Sequence, residues 1–302
     1  MSENQSNDLQ HVRVKIDALD DKIHDLLMQR AELIREVSAI KRKTNKPIVH
    51  PAREAMMLRR LLGRHQGILP QSAVIGIWRE LVGAVSMLQR GLHAYVSTEG
   101  DQNYCWDMAK DYCGSVIPMT RCIGSVGALS SVRDKPDAIA VLPWPIDEEA
   151  KPWWHSLVQQ DQMNQPDKLP MRIIAGLPFG RSQEYTTLEH RALVVGRMHY
   201  NPSGDDNSFI AIAVQSPISR AKAIDLLKNQ GFDPISIISN IDQATGSAAH
   251  FVEVKGYVDP ADERLPLIEE QLEENAGRCV MLGGYPIPPI LRAGDTDPVK
   301  LD

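Results

Sequence analysis

The sequence predicts a multidomain chain: an all-α three-helix N-terminal domain, an α/β region made of small lobes, and an α+β ferredoxin-like end. Three observations carry this. Apolar residues recur every three or four positions across residues 9–43 with no Pro or Gly between them. After Gly91 short strand-like runs alternate with helical ones. The closing segment reads strand, helix, strand, strand, helix, strand. The expected domains are residues 1–93, 94–205 and 206–302.

In the first helix Leu9, Val12, Ile16, Leu19, Ile23, Leu26, Leu33, Val37 and Ile40 form one stripe, over roughly 50 Å at 1.5 Å per residue. So long a stripe must be buried by neighbouring helices or by a second subunit, so a homodimer is expected. A second helix begins at Pro51, which suits a first helical turn, carries Arg53, Glu54, Met56, Met57, Leu58, Leu61 and Leu62, and closes at Gly63. A third is expected over residues 71–92, with Ile75, Trp78, Leu81, Val82, Val85, Leu88 and Leu92 inward and Gln89 one turn beyond Val85.

The charges on these helices suggest chemistry. Arg30 and Lys41 are eleven residues apart, which at about 100° per residue returns to nearly the same face. Arg13 lies about 25 Å further along and about 100° around, so it is better placed to serve a partner's groove than its own. With Arg53 and Glu54 they describe a cationic pocket able to hold a small dicarboxylate without metal or cofactor. Solvated charges flanking a core stripe are the plain alternative.

Composition excludes other classes. A formal net charge of −6 opposes nucleic-acid binding. The polar start MSENQSNDLQ has no signal-peptide core, and no apolar run is long enough to span a bilayer, so a cytoplasmic location is expected. Cys105, Cys113, Cys122 and Cys279 have no zinc-like spacing and read as reduced thiols, and the nine histidines form no metal pattern.

In the middle region HAYVS, SVIPMT, AIAVLPW, MRIIAGLP and RALVVGRM read as strands, with helices over 104–112 and 124–132. The insertion DEEAKPWWHSLVQQDQMNQPDKLP reads as a loop, and its Trp153 and Trp154 as an interface patch or as core. The closing strands are FIAIAVQ, ISIISNI, HFVEVKGYV and CVMLGGYP, and the helices SRAKAIDLLKNQG and RLPLIEEQLEENAG.

The stretches VRVKIDALDDKIHDLLMQRAELIREVSAIK, KPIVHPARE and WRELVGAVSMLQ together resemble the all-helical chorismate mutases, across about the first 93 residues. The resemblance implies a dimer of intertwined three-helix chains converting chorismate to prephenate. It implies that Arg13 reaches into the partner's site and, with Arg30, pairs substrate carboxylates. Lys41 and Gln89 would hydrogen-bond the ether oxygen, Glu54 would orient the ring hydroxyl, and Arg53 would line the site. Two positions depart from the family pattern: His50 stands where an Asp is common and Val85 where a Ser is common. His50 is equally readable as a loop residue beside Pro51.

With HAYVSTEG, RALVVGR and LGGYP, the order of the three parts resembles the bifunctional chorismate mutase–prephenate dehydratases, whose third part is a phenylalanine-binding ACT domain. The dehydratase signatures are eroded. Its Thr-Arg-Phe triplet aligns with His190-Arg191-Ala192, and PIDEEAKP replaces the Glu-Asn-Ser stretch after VLPW. Ser219-Arg220-Ala221 and Ser239-Asn240-Ile241-Asp242 replace the two effector-site stretches, which implies a structural or dimerising role for this part. The expected function is chorismate mutase. Retained dehydratase activity and a weakly catalytic chorismate- or prephenate-binding regulator are the competing readings.

Overall fold

The computed structural model describes residues 3–44, 50–89, 91–100, 103–147, 149, 151–162, 169–180, 191–241 and 246–291. The chain forms two compact units, Met1–Lys46 and Pro47–Asp302.

The first unit is one 42-residue helix, α1 (Glu3–Thr44), about 60 Å long at 1.5 Å per residue. Along its expected stripe Leu9, Val12, Ile16, Leu19, Ile23 and Leu26 are 50–62% exposed. No described helix is long and apolar enough to cross a membrane.

The second unit opens with α2 (Pro51–Gly63) and α3 (Gln71–Gln89). Helix α3 stops three residues before the expected end. Gly91 takes the left-handed φ of +81° and donates its N–H to the Ser86 carbonyl, and Leu92 then turns into the core ahead of the next strand. Leu88, expected inward, is on the exposed side.

A nine-stranded sheet follows, in the order β2-β1-β3-β5-β4-β9-β6-β8-β7. Strands β1 (His93–Ser97), β2 (Met119–Cys122) and β3 (Ala138–Pro143) run parallel, and β5 (Ala192–Gly196) lies antiparallel between β3 and β4 (Arg172–Leu177). Helices α4 (Asn103–Cys113) and α5 (Gly124–Val132) match their expected places. Strand β2 starts four residues into the apolar run SVIPMT, whose Ile117 is buried ahead of the ladder. The insertion expected to be a loop carries α6 (His155–Gln162). The tryptophans just before α6 are core: Trp153 donates to the Pro143 carbonyl at 3.0 Å, and Trp154 packs on Phe251.

The last part has β6 (Asp206–Val214), α7 (Arg220–Asn229), β7 (Pro234–Ile241), β8 (Ala248–Lys255), α8 (Arg264–Gln271) and β9 (Arg278–Pro286). Its antiparallel order β9-β6-β8-β7 is the ferredoxin-like one.

The α/β region and the ferredoxin-like part share one sheet, joined where Ile173 of β4 meets Gly283 of β9. Gly283 has a φ of +113°, and a Cβ there would lie 2.1 Å from the Ile173 carbonyl oxygen. A Cβ on Gly284 would lie 2.3 Å from the Asn207 carbonyl oxygen. The two glycines of LGGYP thus let three strands approach closely.

Helices α2 and α3 do not close a domain at residue 93. Ala55, Leu58, Val74 and Ile75 share a core with Val96 and Cys105, and a Cβ on Gly83 would lie 2.2 Å from the Cys113 carbonyl oxygen of α4. The compact units therefore do not coincide with the expected boundaries at 93 and 205. All four cysteines are free, and burial pushes the Cys105 and Cys113 thiols up to about 12, away from thiolate chemistry.

Gly283→Ala should destabilise the fold by about 3 kcal/mol through backbone strain and overpacking, lowering Tm by roughly 6–12 °C for a unit this size. Gly204→Ala is the control, since Gly204 has a φ of +90° but open space around it. Equal melting losses for the two variants would show that the β4–β9 joint imposes no steric constraint.

Candidate functional site

The first turn of α2 and the length of α3 hold five of the eight expected site residues. Pro51 occupies the first turn with its fixed φ, and the N-cap residue His50 makes no side-chain capping bond. Glu54, three residues further, is buried. Its Oε1 accepts the His50 backbone N–H at 3.4 Å, and its Oε2 accepts Arg79 Nη1 of α3 at 2.6 Å.

Arg79 is a residue the sequence reading missed. Only 4% exposed, it donates from Nε to the Tyr112 carbonyl of α4 at 2.7 Å and from Nη2 to the same oxygen, with its guanidinium 4.0 Å from the Tyr112 ring centroid. Burial acts to lower the Arg79 pKa, but the Glu54 charge and the other neighbours outweigh it and hold the group above its usual value. Burial, then Glu54, pushes the Tyr112 phenol up. The signal was present in the spacing: Val74, Ile75, Arg79, Gly83 and Ser86 form the buried face of α3, so Arg79 is a charge on an apolar stripe.

Arg53, about 100° around the helix from Glu54, is exposed and has no ion-pair partner among the described residues. With His50 and Met56 it lines a cavity of about 170 Å³, whose other side includes His199, Asn201 and Pro286.

On α3, Val85 is half-buried, and the adjacent Ser86 turns inward to donate to the Val82 carbonyl at 2.9 Å. Gln89 ends the helix with its Oε1 buried and without a hydrogen-bond partner among the described residues. It lies ten residues beyond Arg79, about 15 Å along the axis, and no hydrogen bond links it to Glu54 among the described residues. In the other unit Arg13 is exposed and Arg30 half-buried. The side chain of Lys41 lies outside the described residues.

In the α/β region His190 also lies outside the described residues. Arg191 stacks 3.4 Å from the Trp144 ring centroid and donates to the Tyr285 hydroxyl at 3.3 Å. Asp147 and Glu149 are fastened to the ferredoxin-like part. Asp147 accepts Arg220 Nη2 at 2.6 Å and the Ser239 backbone N–H at 3.0 Å, and the Glu149 carbonyl accepts Asn240 Nδ2 at 2.7 Å. Among the described residues no cluster of His, Cys, Asp or Glu could hold a metal ion.

Comparison with known proteins places residues 12–90 within the model of the family described as chorismate mutase type II. A bifunctional chorismate mutase/prephenate dehydratase of Aquifex aeolicus is 30% identical over 132 residues, 42% of this chain and 34% of that protein. One of Stutzerimonas stutzeri is 30% identical over 102 residues, 32% of this chain and 28% of that protein. The chain thus spans about a third of the length of the curated relatives it matches. Among solved structures, prephenate dehydratase from Streptococcus mutans aligns with a TM-score of 0.40 and 14% identity over 64% of this chain and 96% of that one. The expected resemblance of the N-terminal region to the mutases is borne out.

Removing Arg79 strands a buried carboxylate, so Arg79→Ala should cost about 3–5 kcal/mol, whereas Arg79→Met with Glu54→Leu should recover much of that loss. Urea unfolding midpoints of the single and double variants test this, and a single-variant loss under about 1 kcal/mol would contradict a buried, coupled pair.

Proposed function

We propose that this chain is a chorismate mutase, rearranging chorismate to prephenate in aromatic amino acid biosynthesis. The observation that carries the reading is the match of residues 12–90 to the chorismate mutase type II model, a stretch that retains Arg13, Arg30, Lys41, Arg53, Glu54 and Gln89.

The chemistry suits these residue types. The rearrangement is intramolecular and needs no nucleophile or proton transfer, so the protein acts by holding a compact conformer and stabilising a polarised transition state. A millionfold gain requires about 8 kcal/mol of differential stabilisation. Arg30 and Arg13 pair the substrate carboxylates, while Lys41 and Gln89 donate to the ether oxygen. The Gln89 amide N–H₂ is the donor this role requires. Glu54 orients the ring hydroxyl through Oε1, whose bond to His50 is long, while Arg79 holds Oε2. His50 and Val85 contribute no primary charge contact.

The exposed stripe of α1 supports a homodimer in which a second copy covers it and Arg13 acts across the interface. The names of the relatives favour a second reading, retained dehydratase activity. Against it stand the loss of the Thr-Arg-Phe hydroxyl and the engagement of Arg191 by Trp144 and Tyr285.

Purified protein supplied with chorismate should form prephenate and no enzyme-dependent phenylpyruvate. Phenylpyruvate would restore the bifunctional reading, and tight chorismate binding without turnover would leave a binding regulator. Lys41→Ala or Gln89→Ala should lower kcat about 10²–10³-fold with little change in KM. An amide donates at any pH, so a rate climbing steeply only below pH 5 would contradict the role of Gln89. Mixing Arg13→Ala with Arg30→Ala protein should restore activity, because exchanged dimers regain one intact site. No recovery after verified exchange would refute the cross-subunit role of Arg13.

A further inference from the structure

Helix α2 is gripped on a second side, away from Glu54. Arg59 lies three residues beyond Met56 and seven beyond Ala52, so the three share one helix face. Its Nη1 donates to the Ser203 carbonyl at 3.1 Å and to the Ser203 Oγ at 3.0 Å, and its Nη2 to the carbonyls of Asp205 at 2.6 Å and Ile287 at 2.7 Å. All four acceptors are neutral. The clasp therefore works through direction: a planar guanidinium spans acceptors on two sides that an ammonium cannot reach together.

The cradle is built independently of Arg59. The Ser203 N–H and Oγ each donate to the Asp206 carboxylate at 2.7 Å, and Asp206 is 4% exposed. The Ile287 N–H donates to the Asp205 carbonyl at 2.9 Å, which ties the turn before β6 to the end of β9. A fixed set of carbonyls thus meets a helix whose first turn lacks a side-chain cap. Arg59 stands five residues after Glu54, about 140° around α2 and about 7.5 Å along it. The Glu54–Arg79 bond holds one side of the helix and the Arg59 clasp another, so together they remove a rotation that either alone would allow.

We propose that Arg59 is a positioning residue for the rearrangement, holding α2 through residues 203–205 and Ile287 so that Arg53 and Glu54 keep the direction the substrate needs. The proposal rests on the mutase reading. It makes the turn before β6 and the end of β9 working supports of the site, so that the chemistry depends on contacts beyond the three helices.

The test uses the full chain, with chorismate kinetics of wild type, Arg59→Ala, Arg59→Lys and the control Arg60→Ala, each assayed well below its own melting temperature. Arg60 is exposed on the same helix. A displacement of about 1 Å can cost about 10²-fold, so kcat should fall about tenfold or more in Arg59→Ala. In Arg59→Lys, which keeps the charge but not the fork, it should fall about fivefold. KM should change less than kcat in both, and Arg60→Ala should stay within about twofold of wild type. A purely structural Arg59 would lower the melting temperature and leave kcat of the folded protein at the wild-type value. That result in Arg59→Ala, or in Arg59→Lys where the alanine variant does not fold, overturns the proposal, as does an equal loss in Arg60→Ala. If wild type forms no prephenate, the mutase reading fails by itself and hydrogen exchange at amides 54–58 judges the clasp. Faster exchange in Arg59→Ala than in Arg60→Ala supports it, and equal exchange overturns it.

Discussion

Arg79 is the interaction on which the second unit turns. One buried guanidinium ties α2 through Glu54, α4 through the Tyr112 carbonyl, and its own helix α3 between them. A buried ion pair of this kind need not exceed an apolar contact in stability, because desolvation offsets its Coulomb gain. What it supplies is register. Glu54 can meet Arg79 in only one rotation of α2, and that rotation leaves Arg53 on the face that lines the cavity. Arg59 fixes the same helix a second time, donating to the carbonyls of Ser203, Asp205 and Ile287. The orientation of α2 is therefore set by the α/β and ferredoxin-like parts, not by a helical bundle alone.

Most elements were legible because each declares itself locally. The 3.6-residue period of α1, the Pro51 start of α2, and the apolar runs of β3 to β6 need no knowledge of partners. What failed was long-range or terminal. The stop of α3 depends on a left-handed Gly91, and α6 forms beside Trp154, whose partner Phe251 lies about a hundred residues away in sequence. The merging of the α/β region and the ferredoxin-like part into one sheet rests on the pairing of Ile173 with Gly283. Strand periodicity tells which face of a residue is buried but not which strand lies alongside. The two glycines of LGGYP were visible as a motif, while the close approach that requires them was not.

The candidate site divides the same way. Chemistry-bearing residues on α1 to α3 could be named from spacing and resemblance, because residue type and helical position suffice for that. Their partners could not. Arg53 and Glu54 are neighbours in sequence yet face different surroundings, one a cavity shared with His50 and His199 and the other a buried guanidinium. Arg79 was hidden because a lone cation in an apolar stripe reads as an interruption of the pattern until its carboxylate on another helix is known.

These facts bear on what the α/β region does for the rest of the chain. Polar groups here are engaged internally: Arg191 by Trp144 and Tyr285, and Arg220, Ser239 and Asn240 of the ferredoxin-like part by Asp147 and Glu149. An effector or substrate would have to displace charge-assisted contacts already satisfied by the chain itself, at a cost set by their desolvation. Groups committed in this way hold structure. The same region fastens α2 through Arg59 and supplies the outer wall of the Arg53 cavity. Whatever chemistry the region carries, it holds α2 in its rotation, so a substitution that shifts the Ser203–Asp205 turn would be felt at the first turn of that helix.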